Sequence, residues 1–455
     1  MPVWLDSYEL ALIGTAAAAA VSCSLPGLWL VLRRHSMMGD ALSHSALLGV
    51  VGALLTVNWM HGMGWVPDGG LSAAEDAALV LGAVVVGLLT AYLTQLLQDS
   101  GRVESGASLG VVFSSLFALG LFLIRWKADS ADLDADCVLF GVVELAATET
   151  VGSTGIPRPL LLNGAVLLLN AAVMAAAFKE LRLASFDEDY AATRGLRPAA
   201  VHYALMTACA LTVVAAFRTV GSILVVGLLV IPAATALLLT RRLKTAVWWT
   251  VGVAAATAVL SRLLCNTLPG LLFGGWGVTD SSTSGMMAVA GGGLFTLAWL
   301  FSPQGGVVTR LVRQTRRAAR SEADSLLRCL YRMDEQQVTP QRHAVEEQLL
   351  RSRGGRRPRQ LTAWLAAAGL RQRGYASLEE DQWRLTGPGR ERAKDLIRSH
   401  RLVEAYFDQH FALPKDHLHG ATTRVEAYVD AELRERLAEE LDGPEEDPHG
   451  RAIPQ

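Results

Sequence analysis

The sequence predicts a mostly α-helical protein in two parts: a polytopic membrane bundle of eight or nine spans, then a cytosolic domain with winged-helix order. Three observations carry this expectation. Only 18% of the 455 residues are charged and 51% are hydrophobic, whereas an ordinary soluble domain has about a quarter of its residues charged. The charge is also unevenly placed, with 15 Lys/Arg and 19 Asp/Glu in residues 1–304 against 26 and 24 in residues 305–455. Finally, the first part strings together apolar runs near the roughly 20 residues that cross about 30 Å of hydrocarbon as a helix.

The runs fall at 10–32, 41–57, 77–97, 107–124, 159–178, 201–217, 219–240, 246–264 and 285–301. The first is read as a retained helix rather than a signal peptide, because no basic residue precedes it and Asp6 and Glu9 stand where a signal is positive. Short basic loops stay in the cytoplasm. Arg33 and Arg34, then Arg102, then Lys179, Arg182, Arg194 and Arg197, then Arg241, Arg242 and Lys244 mark such loops. Each successive pair is two runs apart, which leaves the C-terminus inside. The intervening loops are acidic: 58–76 has Asp68, Glu75 and Asp76 without a Lys or Arg, and 126–158 has Asp129, Asp132, Asp134, Asp136, Glu144 and Glu149 against Lys127 and Arg158. The first run and the hairpin at Arg218 leave room for one re-entrant segment. Five cysteines, Cys23, Cys137, Cys209, Cys265 and Cys329, form no CxxC pair, so neither a disulfide framework nor a zinc ribbon is expected.

Ser302-Pro303-Gln304-Gly305-Gly306 ends the apolar part, residues 1–304, and opens a basic linker at 305–320. Beyond it the pattern predicts helices near 321–333, 340–351, 358–370 and 387–411, with a short hairpin at 374–385. That order is a winged helix-turn-helix, placed at 321–390, with a further segment at 391–455. A recognition helix around Arg359, Gln360, Thr362 and Trp364, preceded by Arg351, Arg353, Arg356 and Arg357, would set positive charge against DNA phosphates. The same arginines suit anionic lipid or a protein partner at the membrane surface. Residues 310–359 carry 13 Arg and 6 acids, while 426–447 carry 10 acids and 2 Arg, which suggests two faces with different partners.

The sharpest constellation is Met38-Gly39-Asp40-Ala41-Leu42-Ser43-His44-Ser45-Ala46, at the cytosolic start of the second run. Asp40 and His44 are four apart and share a helix face, and carboxylate plus imidazole is a ligand pair for Mn, Fe or Zn. Lipid penalises both groups, so such a pair marks function; a helix cap at Asp40 with His44 among the headgroups is the plain alternative. With Val31-Leu32-Arg33-Arg34 before it and Leu47-Leu48-Gly49 after it, this stretch resembles the permease subunits of ABC importers for zinc, manganese and iron. Gly106-Ala107-Ser108-Leu109-Gly110, Asp136-Cys137-Val138-Leu139-Phe140-Gly141 and the run 220–236 are similar to that family, in its order, so the resemblance covers about 10–303. It implies that Asp40 and His44 belong to the metal pathway and that paired subunits complete one coordination shell. It also implies that Pro232 interrupts a transport helix in which Gly221 and Gly227 permit close packing. Asp132, Asp134 and Asp136 either attract cations at the outer mouth or form a solvated loop.

The inside loop 184–198 predicts a short amphipathic turn of helix with Phe186 and Tyr190 on one side, ending at Gly195 and Pro198. It resembles the family's coupling helix, which assigns Phe186, Asp187, Tyr190 and Gly195 to docking on an ATPase; a plain connector is the alternative. Nothing in the chain reads GxxxxGK[ST]. The chain is therefore expected not to be an enzyme, with ATP hydrolysis supplied by a separate cytosolic ABC ATPase subunit. The resemblance further implies an extracytoplasmic metal-binding protein, a second permease copy or homologue, no permanently bound cofactor, and a place in the bacterial inner (plasma) membrane.

In the second part, residues 383–393 and 399–407, with His417-Leu418-His419-Gly420-Ala421 and residues 447–454, resemble the iron-dependent repressor family of metal-sensing regulators. Coverage is about 321–455, and its last part corresponds to a helical dimerisation segment. The resemblance implies one metal site at His400, Glu404 and His419 and a second at Glu426. Where that family has further ligands three residues before and just after the glutamate, this chain has Thr423 and Ala427, so the second site is expected to be defective. A structural polar cluster is the alternative for His400, Glu404 and His419, and His449 beside Pro448 reads as turn chemistry. The expected function is the permease subunit of an ABC importer for Mn, Fe or Zn with a cytosolic metal-sensing domain. The rival reading is a membrane-tethered, metal-responsive DNA-binding regulator, and the Asp40/His44 pair disfavours a siderophore or cobalamin permease.

Overall fold

The structure is a computed structural model that describes residues 7–65, 71–101, 104–127, 141–151, 155–273, 281–338, 341, 345, 360–411, 422, 425 and 429–454. The chain divides into two compact units, Met1–Thr309 and Arg310–Gln455. In chain order the first contains α1 (Ser7–Leu32), α2 (Ser36–Gly62), α3 (Leu71–Asp99), α4 (Ser105–Lys127), α5 (Val143–Ala146), α6 (Arg158–Ala176), α7 (Phe178–Phe186), α8 (Glu188–Thr193), α9 (Pro198–Val220), α10 (Ser222–Leu239), α11 (Leu243–Phe273) and α12 (Thr283–Phe301). All but α5, α7 and α8 are long and apolar enough to cross a membrane, nine among the described residues. The chain is a multi-pass membrane protein.

Every apolar run forms its own helix. At the Arg218 hairpin, α9 and α10 are separated by Gly221 alone, whose φ of 81° and ψ of 158° belong to glycine. Gly141 abuts this turn so closely that a Cβ on it would lie 2.2 Å from the Gly221 nitrogen.

Helix α1 is the hub of the unit, packing on α6, α9, α10 and α11. Its stretch from Thr15 to Ser24 holds nothing larger than Val, which lets neighbouring backbones come near. At Gly27 a Cβ would sit 1.9 Å from the carbonyl oxygen of Leu229 in α10. Interhelical amides add direction: Asn170 Nδ2 donates to Thr212 Oγ1 at 2.7 Å and Asn163 Nδ2 to Thr219 Oγ1 at 3.1 Å, joining α6 to α9.

Two expectations for α10 are corrected. The helix runs through the buried Pro232 without a break, as membrane helices do when their neighbours absorb the lost hydrogen bond. Gly227 packs no helix closely either, since a Cβ there would meet only its own helix, at 3.6 Å or more. It opens instead on an apolar cavity of about 200 Å³ lined by Ile231, Thr257, Met287 and Gly291.

The remaining elements are α13 (Val307–Glu335), α14 (Gln360–Gln372), β1 (Ala376–Glu379), β2 (Gln382–Leu385), α15 (Gly387–His410) and α16 (Ala431–Glu440). Residues 307–320, expected as a linker, are the first half of α13. The run from Val307 to Glu335 has neither Gly nor Pro and holds seven Arg and four Leu, both good helix formers. Strands β1 and β2 pair antiparallel from Ala376↔Leu385 to Glu379↔Gln382, turning on Glu380 and Asp381 at positive φ. The core of this unit gathers Leu327, Leu330, Met333, Leu370, Trp383 and Ile397. Cys329 lies in it, and burial pushes its thiol up to about 11, against a smaller opposing effect of Arg332. At pH 8 the thiol is therefore protonated as well as shielded. Cys329 in the native chain is expected to resist iodoacetamide and to react on denaturation, read by mass spectrometry of its peptide.

Candidate metal-pathway site

The site is built by a tight turn. After Leu32, Arg33 N donates to Trp29 O at 3.0 Å, Arg34 takes φ 60°, and His35 N donates to Leu30 O at 2.9 Å. His35 is the N-cap of α2, without a side-chain cap bond. Asp40 thus lies a full turn inside the helix, and the capping alternative falls. His44 Nε2 is 3.4 Å from Asp40 Oδ1, with the imidazole 33% and the carboxylate 45% exposed. On α4, Phe113 stacks on the imidazole at 5.8 Å between centroids and Phe117 meets it edge-on at 5.5 Å. The aromatic pair fixes one side of the ring and leaves the donor atoms accessible. One carboxylate and one imidazole so placed can take a divalent cation from one side, leaving other coordination positions to be filled from elsewhere. No group of three His, Cys, Asp or Glu able to hold a metal occurs among the described residues, so these supply two donors here.

The inside loop departs from expectation. Asp187 is extended (φ −154°, ψ 95°) and splits it into α7 and α8, its Oδ1 accepting from Tyr190 N at 2.8 Å. Phe186 ends one helix and Tyr190 lies on the next, so they do not share one amphipathic turn, although both are exposed. Gly195, at φ 78°, closes α8, and Arg194 Nε donates to the Tyr190 hydroxyl at 3.0 Å.

Two ion pairs escaped the sequence reading. Arg33 Nη2 lies 2.5 Å from Glu188 Oε1, with the Arg33 side chain only 4% exposed. Arg262 Nε donates to Glu9 Oε2 at 2.6 Å, and Nη2 to Oε1, joining α11 to α1 in a two-point contact. Opposite charge in two loops expected on one side of the membrane was the one signal for the first pair. Glu9 registered only as an acid before an apolar run. Beside Arg33, His35 has its pKa lowered by burial, then by the Arg33 charge, with Glu188 opposing; it is neutral at pH 7.

In the second unit, His400 Nε2 and Glu404 Oε1 are 3.2 Å apart on α15, both side chains at most 5% exposed. They fit two positions of a metal site. The surroundings are cationic: Arg401 pairs with Glu335 at 3.6 Å and Asp447 at 3.7 Å. Arg332 has its pKa lowered by burial and by Arg451, Arg328 and Arg401, with Glu404 opposing. His419, Glu426, Arg356, Arg357 and Arg359 lie outside the described residues, as do Asp132, Asp134 and Asp136. Gln360 opens α14. Thr362 is 7% exposed, turned to the core rather than outward, and the exposed neighbours on that helix are the apolar Leu361 and Trp364. Thr362 is thereby removed from the outward face expected of it. His449 N donates to Asp447 Oδ1 at 2.9 Å, within a turn.

Residues 7–271 match the ABC 3 transport family, and residues 386–455 match the iron dependent repressor, metal binding and dimerisation domain. The chain is 36% identical over 312 residues to the manganese transport system membrane protein MntD of Bacillus subtilis (strain 168), covering 68% of this chain and 96% of that protein. It is 37% identical over 308 residues to the zinc transport system membrane protein TroD of Treponema pallidum (strain Nichols), covering 67% and 76%. Among solved structures, PsaBC from Streptococcus pneumoniae in complex with Fab aligns with a TM-score of 0.52 at 25% identity, covering 69% of this chain and 96% of that one.

Proposed function

The chain belongs to the ABC 3 transport family, and from that premise we propose that it is the transmembrane permease subunit of an ATP-driven importer for Mn, Fe or Zn, carrying a cytosolic metal-sensing domain. The observation that carries the reading is the Asp40/His44 pair, held 3.4 Å apart with both side chains partly exposed. An extracytoplasmic metal-binding protein delivers the ion to the outer face. The ion passes between two permease copies, or a copy and a homologue, whose paired carboxylates and imidazoles give four donors. The manganese and zinc named for MntD and TroD both suit this N,O set. Reconstitution in vesicles with an ATPase subunit and a binding protein tests the reading: ATP-dependent accumulation of manganese, iron or zinc supports it, and no accumulation of any of them sinks it.

The ATPase subunit docks on the cytosolic loop, with Asp187 setting the start of α8, Gly195 its end, and the exposed Phe186 and Tyr190 as apolar anchors. Phe186→Asp combined with Tyr190→Ala is expected to weaken ATPase association about tenfold or more, because central aromatic anchors dominate such interfaces. Co-purification measures this, and undiminished recovery of the ATPase argues for a plain connector.

In the second unit, cytosolic Mn or Fe binds His400 and Glu404 together with His419. Calorimetric titration of residues 305–455 with manganese is expected to give a saturable heat that His400→Ala removes; no heat in the unaltered fragment ends the sensing role. Salt-sensitive, sequence-selective DNA binding by that fragment, with full metal uptake in cells lacking the chain, favours a membrane-tethered regulator instead.

A further inference from the structure

We infer that the Arg33–Glu188 ion pair carries movement of the docking loop to the helix bearing Asp40 and His44. The inference rests on the permease reading above. Arg33 lies in the turn between α1 and α2, with only Arg34 and His35 between it and the first residue of α2. Glu188 is the first residue of α8, whose start is set by the Asp187 cap. The 2.5 Å contact therefore joins the docking element to the root of the metal-pathway helix across 155 positions of sequence.

The two partners are unequally solvated. The Arg33 side chain is 4% exposed, whereas that of Glu188 is 58% exposed. Arg33 Nε and Nη1 make no hydrogen bond among the described residues, and Glu188 is the ion-pair partner of the buried guanidinium there. A carboxylate in water can move freely, but a guanidinium out of water cannot be left without its anion. When a docked partner displaces α8, Arg33 follows Glu188, and the turn that starts α2 moves with it.

There is room for this. A polar cavity of about 330 Å³ adjoins the pair, lined by Arg33, His35, Thr94, Glu188, His202 and a second carboxylate, Asp99, which makes no ion pair with Arg33 among the described residues. The His35 and His202 rings meet edge to face at 5.5 Å, and neutral His35 offers Arg33 no competing charge. Thr94 Oγ1 and His35 Nδ1 are buried without a hydrogen-bond partner among the described residues, so the cavity wall holds Arg33 by no polar contact of theirs. Arg33 touches no metal in this scheme; it is a positioning residue.

The test uses the full chain with its ATPase subunit and metal-binding protein in proteoliposomes, reading manganese uptake and ATP hydrolysis together. Arg33→Met removes the buried cation and leaves Glu188 in water, so the fold keeps no unpaired buried charge. ATP hydrolysis and manganese binding are expected to persist, while manganese carried per ATP falls about tenfold, within the usual span of coupling between sites. Arg33→Lys restores part of the ratio. Should Arg33→Met fold poorly, Glu188→Gln, altered at the exposed end of the pair, is expected to lower the same ratio. A ratio equal to wild type in the folded variant overturns the inference and leaves the permease reading standing; a wild-type complex that hydrolyses ATP and carries none of the three metals removes the reading itself.

Discussion

Asp40→Ala is expected to abolish metal accumulation, lowering uptake by at least about 100-fold, because loss of even a supporting partner of a metal ligand costs about 10- to 100-fold. Each subunit offers one carboxylate and one imidazole at this point, 3.4 Å apart, so the substitution removes half of what it contributes. Replacing Asp40 disturbs little else: its side chain is 45% exposed, and the bond from Ser43 Oγ goes to its backbone carbonyl at 2.8 Å. ATPase association is therefore expected to remain intact, which separates a transport defect from a folding defect. His44→Ala is less clean, since it also empties the space against Phe113 and Phe117. Uptake of radiolabelled manganese in cells lacking other importers, with ATPase co-purification as the control, measures both variants. Undiminished accumulation by Asp40→Ala refutes the role of the pair.

The second large effect concerns stability. Arg262→Met leaves Glu9, 10% exposed in its side chain, as a carboxylate facing the apolar bundle without its two-point partner. Breaking a buried ion pair from one side costs about 3–5 kcal/mol, whereas replacing both charges is often close to neutral. The single variant is expected to show a clearly lower thermal midpoint in detergent, and Glu9→Gln with Arg262→Met to recover most of it. A single variant as stable as the double one would show that the pair lies in water.

What the sequence disclosed follows the range of each interaction. The membrane helices were legible because bilayer thickness dictates run length and because basic loops mark every second connection. Asp40 and His44 were legible because four residues is one helical turn. By contrast, Glu9 with Arg262 and Arg33 with Glu188 are 253 and 155 positions apart, and only the folded bundle brings them together. Other departures were contests between local rules. The i,i+4 spacing favoured one helix through Phe186 and Tyr190, but Asp187, a better cap than interior residue, bonds Tyr190 N and divides it. The basic stretch at 307–320, expected as a linker, takes helical form within α13 because arginines are good helix formers. Thr362 was grouped with polar neighbours in sequence, yet the turn of α14 directs it inward and leaves Leu361 and Trp364 outside.

The central place of α1 also bears on biosynthesis. It leaves the ribosome well before α10 and α11, the helices its small-residue faces require, so it must wait in lipid with those faces uncovered until late translation brings its mates. Residues 386–455 follow the bundle in the chain, so they emerge only after α1 to α12 have been made, and any regulator they form is matched one to one with a set of spans.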